Sequence, residues 1–346
     1  MRNVSLLLPP LAVGALALPA AATEPTVNEL IAQGKFCTAT AAAVFRACSN
    51  QTLDDYWIGV GLCINESDAR DRTECFADLK DSRDEADDEC AAQRSARNAL
   101  CKTLGEDRYD PELAPRDFDS DFRNLTNPNP YFPLGIGDRW EFLSATEHDV
   151  VQVTSATKLI DDVRCIVVRD EVSVDGVLTE GTNDWFAQAK DGTVWYCGEE
   201  TAEFETFEGD RPMKPELVDI AGSFKADRDG DKPGIIFLAN PRPRQTYIEE
   251  ESLNNAEDAT QVIVVDYSYG KYPDLDKLVP PRLARLLCGA HDCVVTRNTS
   301  SLEPGSFERK YYARGIGVFL ETAPKTGEVN RLVKCNVDPR CSQLPP

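Results

Sequence analysis

Histidine is nearly missing: His148 and His291 are the only two in 346 residues. Nucleophilic hydrolases usually take a proton with an imidazole, and most zinc sites use imidazole ligands, so this scarcity counts against both. No Gly-x-Ser-x-Gly elbow is present either. Positive charge is also short. Beyond Arg2 the chain has 36 Lys and Arg against 59 Asp and Glu, a net charge of −23 with histidine neutral. Such a surface repels phosphate backbones and anionic lipid, so no nucleic-acid partner is expected. After the N-terminus no apolar run is long enough to cross a bilayer, and no transmembrane segment is expected. With so many acids, a carboxylate pair suited to glycoside hydrolysis exists by number alone and carries no information. The chain therefore reads as non-enzymatic, with no catalytic residue and no cofactor; a hydrolase of unknown substrate ranks third among the readings.

The first 22 residues read as a removable leader. Arg2 precedes an apolar stretch from Val4 to Leu18, and Ala20 and Ala22 suit cleavage before Thr23. Pro9, Pro10 and Pro19 interrupt that stretch, which speaks against a membrane anchor. No cysteine precedes Cys37, so a lipid-modified cysteine at the mature N-terminus is not expected. The protein is expected in the periplasm or outside the cell. Twelve cysteines then read as six disulfides in an oxidising compartment.

Six of these cysteines form a palindrome. Cys37, Cys48, Cys63, Cys75, Cys90 and Cys101 are separated by 11, 15, 12, 15 and 11 residues. Eleven residues is about three helical turns and fifteen about four, so each arm keeps its cysteines near one face. Asn65-Glu66-Ser67-Asp68 reads as a helix stop and restart. An antiparallel helical hairpin would nest Cys37 with Cys101, Cys48 with Cys90 and Cys63 with Cys75. Thr52 with Asp55 resembles a helix cap and would break the first arm near Asn50. From Glu66 to Glu89 there are eleven acids against four bases. That excess is either a solvated helix face or an acidic surface for a basic protein partner.

Residues 23–105 thus form a cysteine-rich helical hairpin. Residues 106–130, with four prolines, form an acidic linker or a strap on the next domain. Residues 131–334 alternate as strands, and 335–346 form a tail held by Cys335 and Cys341. The fold class is α+β, with a mainly antiparallel β half-barrel or sandwich after the hairpin. Strands are expected at Arg139–Ala145, Asp149–Thr157, Gln261–Tyr267, Asp292–Thr299 and Phe307–Glu321, and a short helix after Pro280-Pro281.

Asp175-Gly176 and Asp191-Gly192 each read as a two-residue hairpin turn. Counting from them sets Cys165 and Cys197 in one row on either side of Phe186. That spacing, about 9–10 Å, is too far for a bond, so each should find a partner elsewhere unless a bulge intervenes. The same count puts Trp185, Ala187, Val194 and Tyr196 on one face and Phe186, Gln188, Trp195 and Cys197 on the other. Aromatics on both faces suggest core packing or a concavity holding an apolar small molecule or lipid. The lining residues expected are Trp140, Trp185, Trp195, Tyr311 and Tyr312.

Two clusters resemble metal sites. Asp227, Asp229 and Asp231 are spaced as in a calcium loop, but Lys232 stands where the loop needs glycine and Leu238 where a glutamate should close it. A plain turn is the better reading. Cys288-Gly-Ala-His-Asp-Cys293 brings two thiols and an imidazole together, yet in an oxidising compartment those thiols pair with each other or with the tail cysteines.

Several runs resemble an uncharacterised family of secreted bacterial proteins. They are Asn129-Pro-Tyr-Phe-Pro-Leu134 with Trp140, Asp184-Trp-Phe-Ala-Gln188, Asp191-Gly-Thr-Val-Trp-Tyr196, Lys232-Pro-Gly-Ile-Ile236, and Leu302-Glu-Pro-Gly305 leading to Lys310-Tyr-Tyr-Ala313 and Gly315-Ile-Gly-Val318. The resemblance covers most of residues 127–321 and implies no activity. Its closing tyrosines and Gly-x-Gly bend are similar to those of periplasmic half-barrels that carry lipids, with Arg314 where proline is usual. That similarity implies a lipid-sized concavity.

Overall fold

A computed structural model describes residues 25–345, so the expected leader lies outside the described residues. Helix α1 (Val27–Ala32) opens on a capping box in which Thr26 and Glu29 bond each other's backbone N–H. Helices α2 (Phe36–Ile64) and α3 (Ala69–Leu104) then form an antiparallel hairpin. Asp68 starts α3 by accepting the N–H groups of Arg70 and Asp71. The nested disulfides are present, Cys37–Cys101, Cys48–Cys90 and Cys63–Cys75, with Cα separations of 5.6, 5.8 and 5.6 Å. The first arm does not break at Asn50. Thr52 is buried, and its hydroxyl donates back to the Cys48 carbonyl inside a continuous helix.

Fourteen strands follow among the described residues, joined in one antiparallel sheet. They are β1 (Arg139–Leu143), β2 (Glu147–Ile160), β3 (Val163–Val174), β4 (Val177–Gln188), β5 (Val194–Glu205), β6 (Glu216–Asp219) and β7 (Phe224–Lys225). After these come β8 (Gly234–Phe237), β9 (Thr246–Ile248), β10 (Asp258–Tyr267), β11 (Cys293–Ser300), β12 (Glu308–Ala313), β13 (Gly317–Ala323) and β14 (Glu328–Cys335). Helix α4 (Pro281–Leu287) lies between β10 and β11, where the proline pair leads into it. The spatial order runs β6-β5-β4-β3-β2-β1-β14-β13-β12-β11-β10-β9, with β7 and β8 also paired to β5. Two meanders therefore meet where β1 pairs with β14. The architecture is one open curled sheet and not a sandwich.

The segment expected as one strand at Phe307–Glu321 is a hairpin, β12 and β13. The first Asp-Gly hairpin has the expected two-residue turn, with Val174 opposite Val177. The second does not. Ala189 exchanges backbone bonds with Thr193 and Gly192, which leaves a three-residue loop with Gly192 at φ +98°. Two bulges add to this. One falls between Val172 and Ser173 in the β3–β4 pairing, and the other leaves Cys197 unpaired between Tyr196 and Gly198. A one-residue slip exchanges sheet faces. Trp185, Ala187, Cys165 and Cys197 therefore pack in one cluster, while Phe186, Val194 and Tyr196 pack in another. Cys165 and Cys197 are bonded to each other, contrary to the two-residue-turn count. Cys288–Cys293 and Cys335–Cys341 complete the set, and no cysteine is free.

The segment at 106–130 is a strap. Leu113 and Phe118 cover the Trp185 face, and Asp119 donates its N–H to the Gln188 carbonyl at 2.9 Å. The hairpin base is fixed to the sheet by a buried ion pair, with Arg97 Nε 2.6 Å from Glu257 Oε2 and Nη2 2.8 Å from Oε1.

Candidate functional site

A cavity of about 310 Å³ lies on the concave face of the sheet. Phe186 of β4 and Tyr312 of β12 both line it although six places separate their strands, so the sheet curls around it. Period-2 alternation builds its wall. On β1, Trp140 and Phe142 point inward; on β2, β3 and β4, each of Val151, Val168 and Phe186 is followed or preceded at two residues by an inward carboxylate, Asp149, Asp170 and Asp184. Asp170 is opposite Val151, and Asp184 is opposite Val168, so the carboxylates step diagonally across three strands. Phe132 to Leu134, just after the strap, close the apolar side.

Burial dominates the electrostatics. It raises both Asp149 and Asp170 above the ordinary carboxylate range, Asp170 well above. Asp149 Oδ1 and Asp170 Oδ1 are both buried without a hydrogen-bond partner. After burial, the charge of Asp149 is the next cause that raises Asp170. Burial also pushes Asp184 up to about 7. Tyr196 Oη lies 2.5 Å from Asp184 Oδ1 and 2.7 Å from Glu199 Oε2. One phenol proton serves one of these bonds; the other requires a protonated carboxyl that donates to the phenol oxygen.

The facing wall carries Lys310, with Nζ 3.9 Å from Glu249 Oε1 and 3.8 Å from Glu321 Oε1. Burial works against its charge, but Glu321 and Glu249 outweigh that and hold it well above its ordinary value. Glu249 accepts from Asn298 Nδ2 at 2.7 Å and from the Thr260 hydroxyl. Glu250, raised well above its ordinary value by burial and then by Asp258, stands between this cavity and a wider one under the hairpin. Asp149, Asp170, Asp184, Glu249, Glu250 and Glu321 thus face one lysine.

Of the five aromatics expected from sequence, Trp140 and Tyr312 line this cavity. Trp140 donates its indole N–H to the Ile316 carbonyl. Trp185 and Trp195 lie on the other face against the strap, with Lys158 over the Trp185 ring. Tyr311 points away from Tyr312 and donates to the Leu275 carbonyl beneath the segment leading to α4. The five do not form one lining. Asp227, Asp229 and Asp231 form a tight turn in which Asp227 and Asp229 have positive φ, and no three candidate ligands converge on a metal position among the described residues. The carboxyl diagonal was missed because each acid looked like one of 59. The available signal was an acid two residues from a large apolar residue on each of three neighbouring strands.

No family model matches the chain, so the resemblance to a family of secreted bacterial proteins gains no support there. No curated protein matches it either. Among solved structures it is similar to a protein from Parabacteroides distasonis inferred to be a lipoprotein, at 9% identity and a TM-score of 0.26, over 60% of this chain and 99% of that one.

Proposed function

We propose that this is an exported, non-enzymatic binding protein whose concave cavity takes a small amphiphile bearing a protonated amine. Six disulfides and the absence of any free cysteine support export to an oxidising compartment. One observation carries the ligand class: six carboxyls and a single lysine line a cavity whose other wall is Phe132, Trp140, Phe142 and Phe186. Without a ligand, protons must neutralise the buried carboxyls. A bound cation would replace them at lower cost. The volume, near the lower end of the ~300–1,000 Å³ typical of small-molecule sites, suits a short single chain or one aromatic ring and not a two-chain lipid.

Titration calorimetry with n-octylamine, n-octanol and octanoate tests the reading. The amine is expected to bind and to release protons, seen as an enthalpy that varies with buffer ionisation, while octanoate is excluded. Asp170→Asn and Phe186→Ala should each weaken the amine, with near-ultraviolet circular dichroism confirming that the fold persists. Equal binding of octanoate would overturn the amine assignment. Native mass spectrometry of protein taken from its source, then denatured, names the natural adduct by mass. Turnover in an ester, glycoside and peptide screen would replace binding with hydrolysis.

A further inference from the structure

Five buried side-chain polar atoms have no hydrogen-bond partner among the described residues, and three of the five belong to residues lining the concave cavity. They are Asp149 Oδ1 of β2, Asp170 Oδ1 of β3 and Asn330 Oδ1 of β14, and all three are acceptors. Folded chains leave few such atoms unpaired, so three together call for a donor. The register brings them to one place. Phe142 of β1 is opposite both Asp149 and Leu332, and Asn330 stands two residues from Leu332 on the same inward face. Asp170 is opposite Val151, two residues from Asp149. The side chains of Asp170 and Asn330 accordingly flank that of Asp149. Lys310, the one cationic side chain lining the cavity among the described residues, is engaged by Glu249 and Glu321 instead.

We propose, on the strength of the amine reading above, that these three oxygens seat a primary ammonium group, one acceptor for each of its three N–H bonds, and that the cavity selects primary amines over methylated ones. Each of the three groups is planar and ends in a torsion that turns readily, so an entering donor can draw all three oxygens onto itself. Phe142 and Val151, beside Asp149 in the register and also on the cavity wall, would receive the first carbons of the chain. A divalent metal fits less well. Calcium takes about six to eight oxygens, and no three carboxylate, imidazole or thiol groups converge on a metal position among the described residues. A quaternary ammonium, which aromatic faces hold, would leave the three oxygens unpaired. Each methyl added to the nitrogen removes one donor and strands one buried acceptor.

Titration calorimetry on the whole oxidised protein compares n-octylamine, N,N-dimethyloctylamine and octyltrimethylammonium, with octanoate as the anionic control. Octylamine is expected to bind about 100-fold or more tighter than octyltrimethylammonium, with the dimethyl amine between them. Asn330→Leu, of similar volume, should weaken octylamine about tenfold and leave the dimethyl amine, which has a single N–H, unchanged. Asn330→Asp keeps an acceptor and should keep the preference for octylamine. A merely structural role for Asn330 would move both amines together, and that result would overturn the inference. Octyltrimethylammonium bound as tightly as octylamine would also overturn it, in favour of an aromatic cage, and would leave the cation reading standing. Calcium that displaces octylamine at stoichiometric concentration would overturn it by making the oxygens a metal seat. Octanoate bound as tightly as octylamine would instead overturn the amine reading itself.

Discussion

Cys165 and Cys197 are bonded across a strand that separates them: β4 lies between β3 and β5, yet their Cα atoms are 6.8 Å apart. The bulge at Cys197 and the small, fully buried Ala187 of β4 let the two side chains meet over the middle strand. Ala187→Leu should block that path. After denaturation without reductant, the variant is expected to show two reactive thiols, where Ala187→Ser shows none. Stability should fall by about 3–4 kcal/mol for loss of a bridge closing 32 residues. A fully oxidised leucine variant would mean that the bridge does not pass over Ala187.

Arg97 and Glu257 carry the joint between hairpin and sheet, and both are nearly excluded from water. Removing one charge strands the other. Arg97→Ala or Glu257→Ala should each cost about 3–5 kcal/mol in urea unfolding, whereas Arg97→Met with Glu257→Met should cost far less than their sum. Arg97 Nη1 already lacks a partner, which favours the apolar pair further. Additive losses would show that the two side chains act independently.

The hairpin was legible because helical spacing and cysteine spacing agree over six positions: the steps of 11 and 15 placed every sulfur on one face. The β-domain was legible in its strands and not in its faces. A loop of three residues instead of two at Asp191-Gly192, with the bulge at Cys197, reversed the sides of Trp195, Tyr196 and Cys197, and the bulge at Val172/Ser173 carried Cys165 to the Trp185 face. Turn length and bulges depend on long-range pairing, which alternation alone does not encode. The site was illegible for a related reason. Asp170 and Glu321 reach one cavity from strands far apart in sequence, brought there by the curl of the sheet.

Asp184 should make the protein more stable in mild acid than at neutral pH. Its folded value, about 7, lies above the ordinary aspartate value of 3.8. Between those values the folded chain holds a proton that the unfolded chain has released. Stability is therefore lost as pH rises through that window, by at most about 1.4 kcal/mol per unit for this group. Glu251, also pushed up to about 7 by burial, acts in the same direction. Exposed carboxyls held low by hydrogen bonds, such as Asp121 and Asp266, oppose this only below about pH 4. Urea midpoints are expected to be higher at pH 5.5 than at pH 8, and Asp184→Asn should flatten that slope. An unchanged slope in the asparagine variant would remove Asp184 as its source.

Gly234 closes the curl. A Cβ at that position would lie 1.9 Å from the Glu249 carbonyl oxygen and 2.4 Å from its carbonyl carbon, and both are backbone atoms that cannot rotate aside. Gly234→Ala must therefore part β8 from the chain just beyond β9. Glu249 would be displaced from Asn298, Thr260 and Lys310, and the lysine wall of the cavity would shift with it. The expected cost is about 3 kcal/mol or more, in the range of severe strain. Hydrogen exchange should show β8 and β9 losing protection while the disulfide-held hairpin keeps its own. Ile236→Val, on the same strand without the close approach, should cost about 1 kcal/mol and leave exchange at β9 unchanged. An alanine variant as stable as the parent would show that β8 and β9 can separate freely, and that the cavity does not depend on their contact.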